Sequence, residues 1–138
     1  MGCILALDVG TKTIGVARAR GSMAFPVTTL RRKSVRHDTE QLSQLCRKND
    51  ASAVVVGLPL ELDGNEGRSA RLARQIGDAL GSRTGLPIHY QDERYSTVEA
   101  SRRLSEQGLS ARQQRGVIDQ AAAAVILQDW LDAAAEAD

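Results

Sequence analysis

Ile4-Leu5-Ala6-Leu7-Asp8-Val9-Gly10-Thr11-Lys12-Thr13 is an apolar run that ends on a single carboxylate and breaks at a glycine. It reads as a strand buried on both faces, where an ionised carboxylate is costly unless paired, hydrogen-bonded or bound to a metal. At the C-terminal end of such a strand Asp8 can instead face a crevice, the usual ligand position in open α/β sheets. The competing reading is a carboxylate that only accepts N–H bonds from the Gly10-Thr11 turn.

The segments that follow define what surrounds this strand. Ile14 to Arg20 ends in small/basic alternation and reads as a strand with one wet face. After the Gly21-Ser22 turn, Met23 to Leu30 reads as a third strand, and Pro26, which lacks a ladder donor, argues for an edge position. Two short connections in succession predict an antiparallel meander. From Asp38, read as a helix cap with Gln41, the period changes to helical, with Leu42, Leu45 and Cys46 on one face as far as Lys48. Ala53 to Gly57 is a buried strand, and Ala70, Ala73, Ile76, Gly77 and Leu80 mark the inner face of a second helix. Pro87 to Gln91 is a short strand running directly into Asp92-Glu93-Arg94. Ser96-Thr97-Val98-Glu99 reads as a capping box opening a helix with Val98 and Leu104 inward, and a last helix runs from Val117 to Ala135. The order is β-β-β-α-β-α-β-α, an α/β chain with a five-stranded mixed sheet flanked by helices, read as a single domain over residues 1–138.

With 138 residues, 42% hydrophobic and 25% charged, the chain has the composition of one globular domain. No apolar run approaches the roughly 20 residues of a membrane span, and the start lacks the features of a signal peptide, so a cytoplasmic protein is expected. Cys3 and Cys46 have neither metal-ligand nor redox spacing and read as small core residues. The net charge of +1 hides an asymmetry. Residues 11 to 36 carry seven bases and no acid, and residues 116 to 138 carry five acids and no base, so one end of the chain suits a polyanion that the other repels.

Asp119 stands near the start of the last helix and shares a face with Ala122, Ala123, Ile126 and Trp130. Small alanines let that face approach the sheet, which turns Asp119 inward. If the first, fourth and fifth strands are parallel neighbours, Asp8, Glu93 and Asp119 converge on one edge of the sheet. Carboxylates so close repel one another and are relieved by raised pKa values or by a hard divalent cation. With oxygen donors only, the candidates are Mg²⁺ or Mn²⁺, and a pair of such ions suits hydrolysis of a phosphodiester. Lys12, Arg31, Arg32, Lys33, Arg94 and Arg115 are candidate contacts to a nucleic-acid backbone. Tyr90, Tyr95 and Trp130 are too few for a base-stacking platform.

Four blocks, Asp8-Val9-Gly10-Thr11-Lys12-Thr13-Ile14-Gly15-Val16-Ala17, Val56-Gly57-Leu58-Pro59-Leu60 with Asp63-Gly64, Asp92-Glu93-Arg94-Tyr95-Ser96-Thr97, and Asp119-Gln120-Ala121-Ala122-Ala123, resemble in order and spacing the successive blocks of the YqgF/RuvX family. The resemblance implies an RNase H-like fold with catalytic, metal-binding carboxylates at Asp8, Glu93 and Asp119. It also implies a nuclease acting in 5′-end maturation of pre-16S ribosomal RNA, or on Holliday junctions. Tyr95, and the Arg115-Gly116-Val117-Ile118 stretch before Asp119, depart from the commoner family pattern. Two readings of other classes stay open: a non-catalytic nucleic-acid-binding module, and a nucleotide-phosphate-binding half-domain suggested by Asp8-Val9-Gly10-Thr11-Lys12. The protomer is expected to act as a monomer or homodimer.

Overall fold

The computed structural model of the protein describes residues 2–61, 63–93 and 96–136, without the side chains of residues 96 and 97. Five strands, β1 (Cys3–Val9), β2 (Thr13–Arg20), β3 (Met23–Arg31), β4 (Ala51–Leu58) and β5 (Ile88–Asp92), form one sheet in the order β3-β2-β1-β4-β5. β1, β2 and β3 are the expected antiparallel meander, and β1–β4 and β4–β5 are parallel. Helices α1 (Val35–Lys48) and α2 (Arg68–Thr84) make the two parallel crossovers. They are followed by α3 (Ser96–Glu106), the short α4 (Ala111–Gln114) and α5 (Ile118–Glu136).

The two faces of the sheet carry side chains of different size, and this decides what packs where. Leu5, Leu7, Val9, Ile14, Val16, Val54, Val56 and Leu58 meet Leu42 and Cys46 of α1 and Ala70, Ala73, Ile76 and Leu80 of α2. The opposite face offers Ala6, Ala17, Ala19 and Val55 to Ala123, Ile126 and Leu127 of α5. Small residues on that face bring the α5 backbone down onto the sheet. On its other side α5 packs Ala122 and Val125 against Ala100 of α3, so it is apolar around most of its circumference.

Pro26 lies on the edge strand, as expected, and the pairing slips beside it: Val16 faces Thr28 while Ala17 faces Pro26. Cys46 is buried and Cys3 half-buried, both as free thiols. Burial, with the nearby Cys3 thiol adding to it, pushes the Cys46 thiol up to about 11.

Three details differ from the sequence reading. The cap of α1 is Ser34, whose Oγ accepts the His37 N–H at 3.1 Å, and Asp38 sits inside the first turn, 3% exposed. Its carboxylate is drawn back to Lys33 N–H and Arg32 instead. Val98 is 68% exposed, because six residues from Leu104 put it on another side of α3 from the Ala100/Leu104 pair, which is buried. α4 was not anticipated, although Ser110 and Gln113 form the reciprocal pair of a capping box. The proposed capping box at residue 96 involves a side chain outside the described residues.

Candidate functional site

Asp8 is the penultimate residue of β1, half-buried, and belongs with Ala6 to the α5 side of the sheet. Its antiparallel partner on β2 is Gly15. A Cβ built at Gly15 would overlap the carbonyl of Asp119, so the first turn of α5 rests directly on the β2 backbone. The missing side chain opposite Asp8 is thus what lets the two carboxylates come together. Burial, reinforced by the charge of Asp119, raises the Asp8 carboxyl to about 6. Thr13 donates its hydroxyl to Asp119 Oδ2 from the start of β2. Gly10 N–H donates to Thr13 O at 2.9 Å and closes the turn between the two strands.

Glu93 immediately follows β5, and its N–H donates to the Leu58 carbonyl at 3.1 Å. It lies along the same sheet edge as Asp8, with β4 between the strands that carry them. Its side chain makes a different association. Burial first, then a hydrogen bond to Asp129 and the charge of that residue, with Asp92 adding to them and Gln91 opposing, hold Glu93 well above the usual carboxylate range. Asp129 is ten residues beyond Asp119, about 15 Å along α5 at 1.5 Å per residue. Asp8 and Asp119 therefore face one another, while Glu93 is turned along α5. Among the described residues no group of three His, Cys, Asp or Glu is gathered closely enough to hold a metal ion.

The basic candidates separate into distinct environments. Lys12 is exposed in the β1–β2 turn, Arg31 and Lys33 are exposed at the end of β3, and Arg115 is exposed just before α5. Thr13 pairs with Arg31 and Arg32 N–H donates to Lys12 O at 2.8 Å, so these positions share one end of the meander with Asp8. Arg32 has only 12% of its side chain exposed and ion-pairs with Asp38 at 3.1 Å. Arg94 lies outside the described residues. Arg74 is engaged by Glu66, and Arg102 and Arg103 by Glu99.

Sequence reasoning did not single out Thr13, Gly15 or Asp129 as members of this region. Gly15 follows Asp8 by seven residues on an adjacent strand, and only the register reveals that it is opposite.

The family model described as "RuvX: Holliday junction resolvase" matches residues 2–133. Similar curated proteins include one from Anaeromyxobacter sp. (strain Fw109-5), 46% identical over 130 residues, covering 93% of this chain and 95% of that protein. Another, from Moorella thermoacetica, is 46% identical over 131 residues and covers 94% of each chain. Both carry the name "Putative pre-16S rRNA nuclease". Among solved structures, T. thermophilus RuvC in complex with a Holliday junction substrate superposes with a TM-score of 0.60 at 16% identity, covering 98% of this chain and 96% of that one. Fowlpox virus resolvase, solved with Holliday junction DNA, gives 0.61 at 8% identity, covering 96% and 98%. These likenesses establish an RNase H-like fold, and the sequence match is to one family throughout: the chain belongs to the RuvX family.

Proposed function

We propose that residues 1–138 act as one metal-dependent endonuclease domain that hydrolyses phosphodiester bonds in the 5′-end maturation of pre-16S ribosomal RNA. The observation that carries this reading is the facing pair Asp8–Asp119 at the C-terminal end of β1, in a chain whose relatives at 46% identity are named as nucleases. A buried carboxyl raised by burial and by the charge of a second acid, with only oxygen donors beside it, fits a hard divalent cation such as Mg²⁺ or Mn²⁺. Asp8 and Asp119 would hold it; Glu93, the proposed third ligand, would have to leave Asp129 to join them. When bound, one or two such ions supply charge neutralisation at the phosphoryl oxygens and acidify the attacking water.

The chain's own residues do the rest. Thr13 holds the Asp119 carboxylate by donating its hydroxyl. Lys12, Arg31, Lys33 and Arg115, all exposed near this end of the sheet, are proposed to bind the phosphates flanking the cut bond, with Arg94 added from its sequence position. Such contacts carry no base information, which is why the family description supports a second substrate, the four-way DNA junction. Among the described residues no helix is long and apolar enough to cross a membrane. The two free thiols support a reducing, cytoplasmic setting. A junction substrate would favour a symmetric dimer over a monomer.

The test is side-by-side cleavage of a pre-16S RNA fragment and a four-way DNA junction with Mg²⁺, Mn²⁺ or EDTA, by wild type and Asp119→Asn. Cutting that needs metal and Asp119 supports the nuclease, and the faster substrate chooses between the two roles. Tight binding indifferent to metal and to the substitution, without cutting, identifies a binding module instead. In the same assay Thr13→Val is expected to lower cleavage about 10- to 100-fold and to cost about 1.5–3 kcal/mol of stability, the range for a hydrogen bond to a charged group. Thr13→Ser, which keeps the hydroxyl, should restore most of both.

A further inference from the structure

The sequence presents Arg31-Arg32-Lys33 as one basic run, but the structure treats its middle member differently from its neighbours. Arg31 and Lys33 are exposed, whereas the Arg32 side chain is 12% exposed and reaches two partners. Its Nε donates to Asp38 Oδ2 at 3.1 Å, and one Nη donates to the Gly10 carbonyl at 3.1 Å. Asp38, itself 3% exposed on α1, receives the Lys33 N–H on its other oxygen at 3.0 Å. His37 Nδ1 lies 3.6 Å from that same oxygen. The planar fork of one guanidinium therefore joins helix α1 to the turn that begins two residues after Asp8. A buried pair of this kind is costly unless its geometry is good and its remaining donors and acceptors are satisfied. Beyond the bond within the pair, the second Asp38 oxygen accepts the Lys33 N–H and the guanidinium donates to the Gly10 carbonyl of the turn.

We infer that Arg32 and Asp38 are positioning residues that fix the Gly10–Thr13 turn, and through it Asp8 and Thr13, rather than contacts to the phosphate backbone. The inference rests on the nuclease reading for its kinetic test and stands apart from it for its structural one. Burial alone would raise the Asp38 carboxyl, and the Lys33 N–H, Arg32 and His37 outweigh it, so that the carboxyl is held below its ordinary range and remains the anion that the fork requires.

Arg32→Lys is the first variant, since an ammonium keeps the charge but lacks the planar fork that spans Asp38 and the Gly10 carbonyl. The expected result is a fall in single-turnover cleavage of at least tenfold, with KM and nucleic-acid affinity changed less than twofold. Amide exchange at Gly10, whose N–H closes the turn, should quicken at least tenfold. Loss of affinity with an unchanged rate constant, or a shallower salt dependence of binding, would overturn the inference and return Arg32 to the phosphate-contacting set. Arg32→Met combined with Asp38→Leu removes both charges without stranding either in the interior, and it covers the case in which a single variant fails to fold. A double variant with wild-type rate and wild-type exchange at Gly10 would also overturn it. If wild type cuts neither substrate, the nuclease reading fails, and unchanged Gly10 exchange in Arg32→Lys remains the result that removes the positioning role.

Discussion

Asp8→Asn is expected to reduce metal-dependent cleavage by more than a thousandfold and at the same time to make the protein harder to unfold. The two effects share one cause. In the folded protein the Asp8 carboxyl is raised from its ordinary 3.8 to about 6 by burial and by Asp119, so the charged form is the strained one. A raised carboxyl favours the folded state when protonated. Its contribution is fully present below the unfolded pKa near 4 and is lost as pH rises through about 6. One pKa unit corresponds to about 1.4 kcal/mol, so wild type without divalent cations should lose roughly 2–3 kcal/mol between pH 4 and 7 through this group. Asparagine carries no such charge. Melting both proteins in EDTA across that range should show a gap that opens in favour of Asp8→Asn as pH rises. Adding Mn²⁺ should then narrow the gap by stabilising wild type alone. Parallel pH profiles for the two proteins would mean that Asp8 is not under this strain, and cleavage at the wild-type rate would remove it from the site.

Gly15→Ala is expected to be the most damaging single methyl in the molecule. The added Cβ meets backbone, the Asp119 carbonyl, rather than the tip of a flexible side chain, so β2 and α5 must separate along their contact. Overpacking commonly costs 1–3 kcal/mol, and a backbone-on-backbone clash belongs at about 3 kcal/mol or above. The variant should unfold at clearly lower urea, and whatever fraction folds should cut poorly, because Asp119 is lifted away from Asp8. Gly57→Ala is the contrast to measure: its Cβ would meet the end of the Ile126 side chain rather than backbone. Gly116→Ala, with nothing within 4 Å of the added atom, should leave stability within about 0.5 kcal/mol. Equal urea midpoints for the Gly15 and Gly116 variants would show that α5 does not bear on β2 in this way.

Much of this arrangement was legible in the chain because it follows from local pattern. The Ile4-to-Val9 run, the switch to helical period, and the alanine row beyond Asp119 each dictate an element and its inward face. Together they predict β1 as a buried strand and the inward face of α5, the two elements that carry Asp8 and Asp119. What stayed hidden depends on partners that belong to other elements. The orientation of Glu93 is decided by Asp129, and the burial of Arg32 by an aspartate one helical turn into α1; neither is coded by the immediate surroundings of the residue concerned. The large-versus-small division between the two faces of β1, with leucines facing α1 and α2 and Ala6 facing α5, was present in the letters. Its meaning emerges only with the helices in place.

The contact between Thr13 and Asp119 spans 106 residues, and α5 touches β1, β2, β3 and β4. On a ribosome the meander and the first parallel strands emerge well before α5 does. The hydrophobic sheet face that α5 covers must then remain open until late in synthesis, and long-range pairing of this kind slows folding. The Asp8–Asp119 pair is therefore assembled by the same late docking that seals the core. An incompletely made chain contains Asp8 and the basic end but not the opposing carboxylate, and so cannot form this pair before the fold itself is finished.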